Sequence, residues 1–214
     1  MTSIDVDPSS IEHKRLLHYT DFDTLKLIMD NKTLQLNNLE VLNDKHEAKR
    51  KGIEPFAKKT FVSCFYNCQH EIVPLWYNYG GDENSNKILL RIKNFSGEFE
   101  KCFNTNSFID GNTKKRKPFD TYIWSIQIRD IEYLPIKHED LTRSYSAPAI
   151  LKPKNSSQIN STGTLFDITL LGCQKTIHWE YEKETRIICT MGEHHEVSFE
   201  TMFLMLKEYF FQGM

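Results

Sequence analysis

Three ionisable side chains stand two residues apart near the end of the chain: Glu182, Glu184 and Arg186, within Trp179-Glu-Tyr-Glu-Lys-Glu-Thr-Arg186. Read as a strand over Tyr181 to Cys189, this segment sends alternate side chains to opposite faces, so the two carboxylates and the guanidinium share one face. Such a face does one of two things. It lies in water on an edge strand, with a glutamate paired to Arg186, or it serves a site. A fixed carboxylate stabilises positive charge that develops during a reaction. A second one takes or orients a proton. A guanidinium holds a carboxylate or contacts a phosphate oxygen. The run turns apolar at Ile187-Ile188-Cys189, which puts the charged face at the start of a strand entering the core.

Three other places set polar or aromatic groups at strand ends or on a helix beside them: His18-Tyr19-Thr20, Ser63-Cys64-Phe65 and Trp76 to Tyr79. Leu16 to Thr20 reads as a strand. Asp21 suits the N-cap of a helix running through Asn31, with Phe22, Leu25, Ile28 and Met29 at core-facing spacing. Thr33 to Leu36 alternates as a strand, and 37–51 reads as a polar loop leading into a short helix over a cleft. Thr60 to Tyr66 is β-branched and aromatic, as strands are. Pro74 suits the first turn of a helix that ends at Gly80-Gly81. Lys87 to Lys93 reads as a buried strand, Thr121 to Ile131 as another, and Thr164 to Leu171 as a further one. Phe95 to Asp110 is ambiguous. Lys137 to Ile150 is partly helical, and 155–163 is a low-complexity loop. Val197 to Phe211, with Phe199, Met202, Phe203, Met205, Leu206, Tyr209 and Phe210, reads as a closing helix with a broad apolar face. Strands and helices mixed in this order predict a single α+β domain over 13–214 behind a polar lead-in over 1–12.

Composition narrows the class. Of the 214 residues, 39% are hydrophobic and 12% aromatic, enough for a packed core. A formal net charge of −2 gives no global pull toward nucleic acid or an anionic membrane, although Lys114-Lys-Arg-Lys117 is a local basic cluster, read as a solvated loop or a phosphate or nucleic-acid contact. No apolar run approaches the roughly 20 residues of a membrane span, and 1–10 lacks an apolar signal region. Five scattered cysteines fit a reducing, cytoplasmic setting. Cys64 and Cys68 have no second pair at zinc spacing, and no glycine-rich phosphate loop occurs.

Taken in order, His18-Tyr-Thr20, Lys32-Thr-Leu34, Leu42-Asn-Asp44 with Glu47, Val62-Ser-Cys-Phe65, Trp76-x-x-Tyr79 and Trp179-x-Tyr-Glu-x-Glu-x-Arg186 resemble a widespread bacterial domain family that is grouped by similarity with ADP-ribosyltransferases. The resemblance spans about residues 15 to 190. Departures fall at Lys45, Asn78, Lys87 to Leu90 and Thr185.

The resemblance implies split mixed β-sheets with flanking helices and a site for NAD as substrate, without a metal. His18 then binds the adenosine ribose, and Tyr19 and Thr20 belong to the same strand motif. Tyr79 stacks on nicotinamide, with Phe65, Trp76 or Tyr77 as alternatives. Ser63 lies in the middle motif. Glu184 hydrogen-bonds the nicotinamide ribose, Glu182 is the first acid of a Glu-x-Glu pair, and Arg186 completes the pocket. The implied activity is transfer of ADP-ribose to a protein or nucleic acid, or hydrolysis of NAD, in a toxin or phage-defence setting. The further partners the resemblance admits are an antitoxin or a second copy of the chain. The competing readings are a non-catalytic nucleotide- or partner-binding module of the same fold, and a nucleic-acid-binding or nucleic-acid-modifying protein working through Lys114 to Lys117.

Overall fold

The computed structural model describes residues 3–6, 16–48, 54–68, 70–81, 85–92, 103–135, 171–192, 197 and 199–207. The fold is mixed α/β, mostly antiparallel, with few helices. The expected elements over 137–150 and 155–163, and residues 164–170 of another, lie outside the described residues.

Twelve strands are described: β1 (Ser3–Val6), β2 (Leu16–Asp21), β3 (Thr33–Asn38), β4 (Thr60–Tyr66), β5 (Lys87–Ile92), β6 (Phe103–Asp110), β7 (Arg116–Pro118), β8 (Ile123–Asp130), β9 (Glu132–Leu134), β10 (Gln174–Thr176), β11 (Glu184–Met191) and β12 (Thr201–Leu206). Ten form one sheet, with the path β1-β8-β11-β4-β3-β12-β6-β7, and β9 and β10 pair separately. The helices include α1 (Phe22–Asn31), the single turns α2 (Lys45–Ala48), α3 (Glu54–Ala57) and α5 (Phe119–Tyr122), and α4 (Val73–Tyr79) between them.

The sheet forks at β4. One edge of β4 pairs with β11 along its whole length. The opposite edge is shared. Its first half takes β3, at Asn37↔Val62 and Asn38↔Phe61, and its last residue takes β2, at Leu17↔Tyr66. From there β2 continues to β5 on one branch, and β3 continues through β12 and β6 to β7 on the other. Residues 63–65 sit in the crotch, with no strand pairing on that edge among the described residues.

Alternation along β4 and β11 divides the core. Phe61, Phe65, Ile187 and Cys189 join the larger cluster on one face, and Val62 and Ile188 join a smaller one on the other. A third cluster of Leu17, Tyr19, Tyr66 and Leu75 seats α4 on β2. The Asp21 carboxylate caps α1 by accepting from the Thr24 N–H at 2.6 Å. Pro74 stands in the first turn of α4, which ends at Gly80.

Four expectations are corrected. Within the closing segment Thr201–Leu206 is the strand β12, not a helix, and 208–211 lie outside the described residues. Met202, Leu204 and Leu206 are buried while Thr201, Phe203 and Met205 are half-buried, a period of two imposed by neighbours on both edges. An apolar run this dense satisfies either period, and pairing decides between them. Helix α1 buries Ile28 but leaves Phe22 and Met29 exposed. Strand β5 is an edge strand, half-buried for most of its length. The strand carrying the Glu-x-Glu motif starts at Glu184, because Ile177–Glu182 forms a 3-10 helix that Lys183 ends in the left-handed conformation, φ 45°. That strand is central rather than an edge: β11 lies between β4 and β8, and all eight of its residues are buried.

Candidate functional site

A cavity of about 860 Å³ opens at the fork, within the range typical of ligand sites. His18 and Tyr19 line it from β2, Ser63 and Cys64 from β4, Glu184 and Arg186 from β11, and Tyr79 from α4. The β3-to-β7 branch supplies its floor and α1 one flank.

The acid end begins at Arg186, which is 1% exposed. Its Nε donates to Glu184 Oε1 at 2.7 Å and its Nη2 to Glu184 Oε2 at 3.0 Å. Nη2 also donates to Glu47 Oε1 at 2.9 Å, and Nη1 to Glu47 Oε2. The remaining Nη1 hydrogen goes to the Gly172 carbonyl at 2.9 Å. Gly172 has a φ of +76°, a conformation that L side chains rarely adopt. All five guanidinium hydrogens are therefore engaged. Of the two roles open to it, Arg186 takes the first: it holds two glutamates, and no guanidinium hydrogen is left over for a diphosphate.

Lys175 extends the network. Its Nζ donates to Glu182 Oε2 at 2.6 Å and to Glu184 Oε2 at 3.2 Å, beneath the ring of Trp179 at 4.5 Å. Glu182 Oε1 accepts from the Tyr79 hydroxyl at 2.9 Å, and that hydroxyl accepts from Asn43 Nδ2 at 3.2 Å. The Glu184 N–H donates to the Tyr133 hydroxyl at 2.7 Å. Three buried carboxylates thus meet two buried cations. Charges so deep in a core are retained only when paired and hydrogen-bonded.

Protonation follows from this geometry. Burial pushes the Glu184 carboxyl up, but Arg186 and Lys175 outweigh it and hold it down at about 2. Burial raises Glu47 and Glu182 against the pull of Arg186 and of Lys175 respectively. Burial also raises the Tyr79 hydroxyl, helped by the neighbouring Glu182. Burial lowers His18, while its hydrogen bond to the Cys64 carbonyl pulls the other way. Nδ1 of His18 lies 2.9 Å from that carbonyl, so Nδ1 carries the proton and Nε2 is the acceptor of the neutral ring. This single side-chain bond spans the crotch of the fork.

The structure brings together His18, Tyr19, Ser63, Tyr79, Glu184 and Arg186. It removes five expected residues from the cleft lining, among them Tyr77, which is exposed on α4. Thr20 is buried in β2, and Phe65 lies in the core, its ring centroid 5.2 Å from that of His18. Trp76 packs edge-on against Tyr19 at 4.9 Å and donates to Glu71 at 3.3 Å. Glu182 is fully buried behind Tyr79 and Lys175. Tyr19 is also structural, since its hydroxyl accepts from the Ile72 N–H at the head of α4, at 2.8 Å.

Comparison with protein-family models, with curated proteins and with solved structures found no match.

Sequence reading missed Lys175, Tyr133 and the site role of Glu47. Glu47 pairs with Arg186 across 139 positions of chain, a contact no local pattern encodes. The signal present was an imbalance: two adjacent carboxylates and one arginine entering a core require a second cation.

Proposed function

We propose that the cleft binds NAD and cleaves its nicotinamide–ribose bond, passing ADP-ribose to an acceptor or to water. The observation that carries this reading is one cleft lined by Tyr79, by His18 and by the Glu184 carboxylate, which Arg186 and Lys175 hold by hydrogen bonds. NAD presents a positively charged pyridinium ring. Three buried carboxylates gather around two cations behind the Tyr79 end, and an aromatic face attracts a ring cation. When the bond breaks, its electron pair moves to the ring nitrogen, the ring becomes neutral, and the ribose carbon takes on oxocarbenium character. A fixed carboxylate stabilises that charge more than it stabilises the bound ground state. The acceptor, or water, then bonds to the same carbon and gives up a proton. Neutral His18 takes a hydrogen bond from a ribose hydroxyl through Nε2. Glu182 acts at one remove, by fixing Tyr79 and Lys175.

One observation favours a second reading, a nucleotide-binding module without turnover. The Glu184 carboxylate already accepts from Arg186 Nε and Nη2, Lys175 Nζ and the Cys64 thiol, which fills its roughly four acceptor positions. Its action on a ribose is then electrostatic, or a ligand hydroxyl displaces the weak thiol donor.

Nicotinamide release from NAD by wild type and by Glu184→Gln, with a cell extract supplying acceptors, separates the readings. Release by wild type, and a loss of roughly 10²–10³-fold in a variant that still melts cooperatively, supports catalysis. No release from wild type, with NAD still raising Tm, supports the binding module. Neither release nor a Tm shift rejects both.

A further inference from the structure

The basic run Lys114 to Lys117 reads in the sequence as one cluster, but the structure divides it. Lys117 turns away from the cleft, 2.8 Å from the Asp110 carboxylate and over the rings of Tyr122 and Phe199. Lys114 and Arg116, two residues apart, both line the cleft, and neither makes an ion pair among the described residues. The Nζ of Lys114 stands 4.9 Å above the Phe203 ring. That contact orients the ammonium without cancelling its charge.

Strand register shows what these cations belong to. Gln35 pairs with Phe203, Phe203 with Ile109, and Ile109 with Arg116. Directly paired residues share a face, so these four side chains form one row across β3, β12, β6 and β7, and all four line the cavity. Three strand spacings make the row about 14 Å long. It starts on β3, next to the fork, and ends at Arg116. The turn presenting the cations is fixed in place. The buried Asp110 carboxylate accepts from the N–H groups of Asn112 and Thr113 at 2.9 and 3.0 Å, besides holding Lys117.

The cavity therefore has two unlike ends. One is acidic and aromatic, and the other is a shelf of Gln35, Phe203 and Ile109 closed by two cations with no carboxylate partner among the described residues. We infer that Lys114 and Arg116 bind the diphosphate of the dinucleotide whose charged ring lies against Tyr79, so that the cleft selects a ligand with a cationic head and a phosphate tail. This inference rests on the NAD reading of the cleft. A guanidinium offers paired donors to phosphate oxygens, and an ammonium adds a point charge beside it. A nucleic-acid strand is the weaker fit, because a polymer backbone calls for a continuous basic track and two of the four basic residues do not line the cleft.

The test compares wild type with the Lys114→Gln/Arg116→Gln double variant by calorimetric titration at two salt concentrations. Three ligands are titrated, NAD, ADP-ribose and nicotinamide riboside, which keeps the charged ring and lacks the phosphates, and a single-stranded RNA oligonucleotide serves as a competitor. The inference expects NAD and ADP-ribose to bind at least roughly ten-fold more weakly to the variant, with a smaller salt dependence, and nicotinamide riboside to bind unchanged. Unaltered NAD affinity overturns the inference and leaves the NAD reading standing. Equal weakening of nicotinamide riboside overturns it as well, since the pair would then not be reading phosphate. If wild type binds ADP-ribose through the pair but ignores NAD and nicotinamide riboside, the phosphate site stands and the NAD reading falls. If a single-stranded RNA oligonucleotide competes more strongly than ADP-ribose and depends on the pair, the diphosphate assignment is overturned in favour of a nucleic acid. No binding of any ligand to wild type rejects the inference and the NAD reading together.

Discussion

The two ends of the cleft are built on opposite principles. At the acid end every donor of Arg186 is engaged, and the charges are buried and bound to one another. At the basic end Lys114 and Arg116 are exposed and face the cavity. The first arrangement gives a fixed field, because its charges cannot reorient without breaking the core. The second gives contacts that are completed only when a ligand arrives. A cleft combining them places one part of a ligand rigidly and holds the other adaptably, and the two ends should respond to mutation in opposite ways.

The largest expected effect is on folding at the acid end. Arg186→Met leaves Glu47 and Glu184 buried without their guanidinium and should cost about 3–5 kcal/mol in chemical denaturation. A loss below about 1 kcal/mol would mean the carboxylates escape to water and the end is not rigid.

Next in size is a pH effect on Glu184. Its folded-state pKa, about 2, lies below the ordinary 4.5. The unfolded chain therefore binds the proton first, and the stability from this group is complete above about pH 4.5 and drains away as pH falls toward 2. The stability difference between wild type and Glu184→Gln should narrow over that window. A difference flat across it would show that Glu184 is not held as an anion.

Smaller again is Tyr79→Phe, which keeps the ring in the cleft and removes the hydroxyl between Asn43 and Glu182. About 1–2 kcal/mol of stability should be lost, with ligand affinity changed less than by Tyr79→Ala. Equal affinity losses in the two variants would assign binding to the hydroxyl rather than the ring.

The smallest stability effect should come from the basic end. Lys114→Gln/Arg116→Gln should shift the unfolding free energy by no more than about 0.5 kcal/mol, because exposed charges contribute little to folding. A larger loss would erase the contrast between the two ends.

Local signals gave the parts of this fold that local rules control. Asp21 as a cap, Pro74 and Gly80 as bounds of α4, and the β-branched run of β4 each fix backbone geometry within a few residues. What escaped depends on partners distant in sequence. β12 is a strand because β3 and β6 flank it, and its apolar run is equally at home on a helix. The site divided in the same way. His18, Tyr79 and Glu184 stood out by type and position, yet nothing near Glu182 showed that Lys183 would end a 3-10 helix and bury its neighbour. Nothing near Arg186 showed that Glu47 would bind it. The split of the basic run is the middle case. Alternation separates Arg116 from Lys117 once β7 is known to be a strand, and Lys114 precedes it in a turn, at a φ of 55°, but three residues of strand are too few to announce themselves.

The fork also has a mechanical meaning. The branch carrying His18 and the branch carrying the shelf meet along one edge of β4, and between the two pairings runs the short span Ser63 to Phe65. That span is anchored on its other edge by β11, and on this edge the bond from His18 to the Cys64 carbonyl ties the first branch to it. The amide hydrogens of these residues are where amide exchange should register the jaws opening, and where it should slow first when they close.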